Sequence, residues 1–211
     1  MSARPARKLE SSREKIHDTA LRLFARHGFE GVGMQRIADE VGLHKSSLFH
    51  HYKGKLELAT EVYEACIRRV LVPIRDLAAD QPPRMETLFD VLDRLVDHFS
   101  DSPDDARLLV QVMTAPLEDD VRQDIQSDPD HPVVEFFSTV WSWLERAKRS
   151  GTVRALNIRQ AMFNLIGLIL FYPAAAEQEP DIAGTEPFSP SARGHRKREL
   201  RAMVKGLLVE L

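Results

Sequence analysis

Cysteine is almost missing from this chain of 211 residues: Cys66 stands alone. An internal disulfide and every zinc site built from several thiolates are therefore excluded, and Cys66 reads as a small buried hydrophobe. Long hydrophobic runs are lacking too. The longest apolar stretch, 161–176, is interrupted by Asn164 and Gly167 and is shorter than the ~18 unbroken residues of a membrane span. Residues 1–15 are basic but reach no apolar segment, so they make no secretory signal, and a cytoplasmic address with no membrane partner is expected. No alternation of apolar and polar residues marks a strand, and no internal repeat is visible. The chain also lacks the motifs of common active sites: there is no Gly-x-Ser-x-Gly elbow, no phosphate-cradling glycine loop and no His-Glu-x-x-His. No catalytic residue, metal site or cofactor is expected.

An excess of positive charge is the last thing missing. With 29 Lys and Arg against 32 Asp and Glu, the net charge is −3, which at first argues against a nucleic-acid partner. The distribution reverses that inference. Residues 1–55 hold 11 basic and 6 acidic side chains, a net +5, and the remainder holds 18 against 26, a net −8. Five of the eight histidines, at 17, 27, 44, 50 and 51, lie in the basic part. A basic module on an acidic body is the footprint of a nucleic-acid reader, although a solvated basic face has the same composition.

Helical periodicity fills the chain. Residues 1–10 read as a flexible basic arm, followed by Ser11-Ser12-Arg13-Glu14 as a capping box. Ile16, Ala20, Leu23 and Phe24 then recur at helical spacing up to Gly28. Met34, Ile37, Ala38 and Val41 form a second, short stripe closed by Gly42, and a third helix over 45–51 follows after only Gly42-Leu43-His44. Two short helices joined by so tight a turn cross at a large angle, as in a helix-turn-helix. From Lys55 a long periodic segment runs until Pro73 kinks or ends it. Leu88 to Phe99 is a regular stripe. Ser102-Pro103 reads as an N-cap with proline at the first helical position, and a short acidic helix is expected over 117–126. Pro132 opens another helix that Gly151 closes, Asn157 with Gln160 caps an apolar helix to about Ala176, 180–190 is a loop, and Leu200 to Leu211 is a final stripe. The expected fold is all-α: a small three-helix unit over 11–54 and a larger helical bundle over 55–211.

The stretch GFEGVGMQRIADEVGLHKSSLFHHYKGKLEL, 28–58, resembles the amino-terminal domain of the TetR/AcrR transcriptional regulators. Gly28 matches the glycine that ends helix one, Ile37-Ala38 the core pair of helix two, Val41-Gly42-Leu43 the turn, and Leu48 the buried leucine of the recognition helix. Lys55 and Leu58 match the lysine and leucine that open the fourth helix. The resemblance implies an operator-binding homodimer, most often a repressor, that a small hydrophobic or amphipathic molecule releases from a palindromic double-stranded DNA site. Departures are Phe49 for the usual tyrosine, Gly33 and His44 where Ser or Thr commonly caps, and Arg36 where an acid is frequent.

A helix over 45–51 is ~10 Å long and fits across a major groove ~12 Å wide. With Leu48 and Tyr52 packed inward, Lys45, Ser46, Ser47, Phe49, His50 and His51 face outward, where lysine meets guanine and rings meet thymine methyl groups. By the resemblance, Lys45, Ser47, His50 and His51 are the leading base-edge or nearby phosphate contacts. Gln35 is a further base contact, and Lys55 is a backbone-phosphate lysine that positions without reading sequence. The histidine cluster is not a metal site, since adjacent histidines on a helix diverge by ~100° and nothing completes a tetrahedral set.

For the acidic remainder, simple core packing is the plain reading of each aromatic residue. Taken together, Tyr63, Phe89, Phe99, Met113, Phe137 and Trp141 fit the lining of an effector pocket, with Arg107, Gln111 and Asn164 for polar orientation. The last helices, 157–176 and 193–211, are apolar enough to pack against their copies in a dimer. Two alternatives stay open: a DNA-binding dimer without a small-molecule effector, which a dry, filled bundle core favours, and an enzyme using the acidic bundle.

Overall fold

The computed structural model describes residues 4–115, 125, 127–184 and 186–209. Among them the chain is helical and holds no strand. The first unit is α1 (Arg4–His27), α2 (Met34–Val41) and α3 (Lys45–His51). Ile16, Ala20, Leu23 and Phe24 of α1 are fully buried against Ile37 and Ala38 of α2, Leu48 of α3 and the capping residue Tyr52. These are the positions that the apolar periodicity selects. The start of α1 differs from expectation: the helix already runs from Arg4, so Ser11 lies inside it and opens no helix, and 4–10 is helical, not a flexible arm. Ala, Arg, Lys, Leu and Glu in that stretch are good helix formers, and Pro5 sits in the first turn, where a missing N–H removes no helix bond.

The turn between α2 and α3 shows why glycine stands at 42. Its φ of 75° is left-handed, and the N–H groups of Gly42 and Leu43 donate to Asp39 and Ala38 carbonyls at 3.2 and 2.9 Å. This is a Schellman closure, which ends α2 and frees the chain to begin α3 three residues later.

α4 (Lys55–Ala79) continues through Pro73 and does not end there. Pro73 is buried among Val70, Ile74 and Leu77 on the packed face, and burial of that face outweighs the lost helix bond. α4 packs along α7 (Pro132–Ser150) and beside α5 (Met85–Asp101) and α6 (Pro103–Thr114). α8 (Ile158–Ala175) lies against α5, α6 and α7. The Asn157 side chain accepts from the Gln160 N–H at 3.1 Å, the cap that its sequence suggests. The Ser102 hydroxyl makes no such bond; proline at the next position and the Ser102 carbonyl open α6 instead. The segment expected as a loop over 180–190 contains one helical turn, α9 (Pro180–Ala183), before α10 (Pro190–Leu208). The acidic helix expected over 117–126 falls outside the described residues except at 125. α8 is long and apolar enough, by length and composition alone, to cross a membrane. Its buried residues, from Ile158 to Pro173, lie in the bundle core, which accounts for that composition.

Candidate functional site

α3 presents one polar face and buries the other. Leu48 and Tyr52 are fully buried, whereas Lys45, Ser46, Phe49 and His50 are exposed. Ser47 and His51 are half-buried at the edges of that face, His51 with its ring centroid 6.4 Å from that of Tyr52. Phe49 projects outward at 45% exposure, and the Lys45 ammonium lies 5.9 Å from its ring centre. Neither Gly33 nor His44 supplies a side-chain cap, so α2 and α3 start on backbone bonds alone, such as Ser47 N–H to the His44 carbonyl at 2.9 Å. Gln35 is exposed on α2 but donates to Asp39 at 2.7 Å, a bond it must release to reach a base.

Lys55 is less accessible than its position suggests. Its ammonium donates to the Phe29 carbonyl at 3.0 Å, lies 4.1 Å from the Phe29 ring centre and stands 3.7 Å from Glu30. It fastens the turn after α1 onto the start of α4. Lys53, which is not among the expected contacts, is exposed in the short link from α3 to α4. The legible signal was Tyr52: a buried residue closing α3 leaves the next side chain outside.

Basic residues on the flank of this unit are tied inward. Arg13 makes a bidentate pair with Glu61 at 2.8 and 2.6 Å, Arg22 meets Glu40 at 2.5 Å, and Arg36 meets the His27 Nε2 at 2.9 Å. These pairs fix α1, α2 and α4 relative to one another and leave α3 as the outward basic face.

Inside the bundle the aromatic residues divide. Tyr63, Phe99, Met113 and Phe137 line one cavity with Ile67 and Leu109 among its walls. Its free volume is only about 50 Å³, far below the ~300 Å³ at which small-molecule sites begin. Burial pushes the Tyr63 phenol up to about 12, so its hydroxyl stays protonated and is the wall's hydrogen-bonding group. The other expected lining residues lie elsewhere. Phe89 packs beneath Arg201, its ring centre 5.3 Å from the guanidinium. Trp141 is 38% exposed; Trp143 is the buried one, donating to Asp80 at 3.2 Å. So many residues of α7 are apolar that the pattern did not fix its rotation. Asn164 accepts from Gln160 at 3.1 Å on the side of α8.

Arg107 and Gln111 join elements instead of facing the cavity. Buried Arg107 donates to Asp104 at 2.5 Å, Glu177 at 2.7 Å and the Ala174 carbonyl at 3.1 Å. Asp104 also meets Arg26 at 3.4 Å, and Gln111 donates to the Ala25 carbonyl at 2.7 Å. α6, whose Leu109 and Met113 wall the cavity, is thus bonded to the end of α1. Nearby, Asp105 is 1% exposed and bridges Arg69 at 3.0 and 2.8 Å and His98 at 2.9 Å. Burial raises its pKa, but the bonds from His98 and Arg69 outweigh burial and hold it below the usual aspartate value. Among the described residues, no group of three or more His, Cys, Asp and Glu is arranged to hold a metal ion.

A face of α8 and α10 is left uncovered. Phe163 and Phe171, two turns apart on α8, are 55% and 70% exposed, and Met203 on α10 is 54% exposed.

Comparison with known proteins bears on both parts. Residues 16–62 match the model of bacterial regulatory proteins, tetR family. The HTH-type transcriptional repressor SCO4008 of Streptomyces coelicolor is 34% identical over 104 residues, 49% of this chain and 50% of its own. The chain spans about half the length of the curated relatives it matches. The fold extends further. A TetR family transcriptional regulator, PfmR from Thermus thermophilus, superposes with a TM-score of 0.69 at 17% identity over 94% of this chain and 96% of its own. A transcriptional regulator from Saccharomonospora viridis, solved in complex with choline, superposes at 0.63 with 19% identity over 96% and 100%. The segment 16–62 is thus similar to that of the tetR family of bacterial regulatory proteins, and the fold of the whole chain is shared with regulators of that kind.

Proposed function

We propose that the chain is a cytoplasmic, homodimeric transcription regulator, a repressor, whose unit over 11–54 binds a palindromic DNA operator and whose bundle over 55–211 carries dimerisation and response. The observation that supports this most is the outward face of α3, with Lys45, Ser46, Phe49 and His50 exposed directly after a tight glycine turn. A seven-residue helix holds one half-site weakly, so pairing two such helices about one DNA turn apart is a requirement of binding. The exposed Phe163, Phe171 and Met203 fit the isologous contact of α8 and α10 with their copies.

An effector acts by preferring the head spacing that does not fit DNA, and a preference of a few kcal/mol is enough to matter. Its site is the apolar cavity, with Tyr63 for orientation. The route to DNA is twofold: α4 runs from the cavity to α3, and α6 runs from the cavity to α1 through Gln111 and Asp104. For this the cavity must widen from about 50 Å³, with Met113 and Phe137 moving aside. That small volume favours a second reading, a DNA-binding dimer without a small-molecule effector.

Selection of binding sites from random DNA with the full chain, repeated with a panel of small apolar molecules, tests both readings. The expected result is a palindromic site released by at least one apolar compound. A palindromic site that no compound releases supports the second reading, and no enriched sequence sinks the DNA-binding reading itself.

A further inference from the structure

α10 meets the rest of the chain in two unlike halves. Its second half anchors Leu200, Val204 and Leu208 in the core. Its first half, 190–199, contributes no buried apolar side chain. Charge holds it instead. Arg193 reaches Asp101 at 2.6 Å, Lys197 reaches Asp97 at 2.6 Å, and Arg201 meets both carboxylate oxygens of Asp93 at 3.1 and 2.8 Å. The three bases on α10 and the three acids on α5 recur every fourth residue in opposite chain directions. The pairs therefore form a ladder along two antiparallel helices. Arg196 ties the same half to α8, donating to the Leu168 carbonyl at 2.7 Å with its guanidinium 4.2 Å from the Tyr172 ring centre.

Two rungs reach solvent: the side chains of Asp101 and Asp97 are 65% and 47% exposed. Mobile ions screen such pairs, and at about 0.5 M salt the screening length falls to roughly the length of a rung. An apolar seam responds in the opposite direction, since salt excluded from the surface strengthens it.

We propose that the ladder of Asp93, Asp97 and Asp101 with Arg201, Lys197 and Arg193 makes the seat of α10 a salt-sensitive joint, so that chains paired through α8 and α10 separate as ionic strength rises. The second clause rests on the dimer reading above. α10 carries Met203 on the pairing face, and its first half adjoins that face with no apolar anchor of its own, so loosening this half disorders the surface the partner must meet.

The full chain is measured at about 50 and 500 mM sodium chloride by sedimentation equilibrium and by amide hydrogen exchange. The two exposed pairs each contribute a factor of about two, so the dimer is roughly fourfold weaker at high salt. Amides over 190–199 lose protection over the same range while those of α5 keep theirs. Asp97→Lys loosens the joint at low salt, and Asp97→Lys combined with Lys197→Asp restores it; should the single variant not fold, the salt series on the parent chain decides. Equal protection of 190–199 at both salts, or a dimer that tightens with salt while 190–199 stays protected, overturns the joint. A chain that is monomeric throughout overturns the dimer reading, and the exchange series still decides the joint.

Discussion

The first 55 residues and the remainder use charge in opposite ways. In the first part, at net +5, flanking cations are tied to Glu61, Glu40 and His27, and α3 keeps its basic and polar side chains turned to solvent. In the second, at net −8, acids are matched by bases between helices: Asp105 by Arg69 and His98, Glu135 by Arg75, and the α5 carboxylates by α10. One part leaves charge turned to solvent, and the other uses it to join its own elements. A net charge therefore says less about function than whether the charges are already paired.

The largest effect that separates the two parts is expected on α3. If Lys45 and His51 make the proposed base contacts, worth ~1–3 kcal/mol each, replacing both by alanine abolishes sequence preference while thermal unfolding of the bundle is unchanged. If the double variant binds the selected operator as tightly as the parent chain, the assignment of α3 is wrong.

The reverse experiment is Asp105→Ala. It strips the partner from Arg69 and His98 and destabilises the bundle by about 2–3 kcal/mol in denaturant unfolding, less than the ~3–5 for a wholly buried pair because Arg69 reaches water. The same carboxylate gives a pH signature. Its folded pKa lies below the ordinary 3.8, so its contribution is complete above that value and is lost as pH falls through the depressed value. Asp80 acts in the same direction: burial raises its pKa, but donors from Arg84 and Trp143 outweigh burial and lower it. Acid unfolding monitored by Trp fluorescence is expected to begin below pH ~3.9 in the parent chain and to lose part of its pH dependence in Asp105→Asn.

A smaller effect distinguishes two lysines. Lys53→Ala reduces the slope of log affinity against log salt by about 0.9, the value for one phosphate contact. Lys55→Ala changes that slope less and instead lowers the thermal stability of the amino-terminal unit, because its ammonium holds the Phe29 turn. A full unit of slope lost in Lys55→Ala shows that the lysine leaves Phe29 for a phosphate when DNA binds. The smallest effect is a gain. His44→Ser supplies the cap that α3 lacks and stabilises the amino-terminal unit by ~0.5–1 kcal/mol, read as a rise in its melting temperature.

Legibility followed the width of each helix's apolar face. α1, α2 and α3 have narrow stripes with glycine punctuation, so periodicity found their core residues and the outward face of α3. The start of α1 was misread because a good capping box means little when the residues before it are good helix formers too. In the bundle, α8 is apolar on nearly all sides and the first two-thirds of α7, 132–144, is apolar at most positions, so no pattern in them selects one rotation. Trp141 and Trp143 show the cost: two positions apart, both apolar, one half in water and one in the core. The partners that engage Arg107 and Gln111, Glu177 and Ala25, are distant in sequence, so no local pattern shows that these two side chains join elements.

By itself the sequence determined the all-α class, the glycine-closed turn, the inward and outward faces of α3 and the division of charge at residue 55. Each depends on local spacing or on composition, which a linear chain carries in full. Only the tertiary structure decided that Lys55 is engaged by Phe29, that the cavity is nearly filled, that α6 is bonded to α1 and that α5 and α10 meet rung by rung. Those are contacts between residues 26 to 108 positions apart, and they exist only once burial of the apolar faces has fixed how the helices rotate and where they cross.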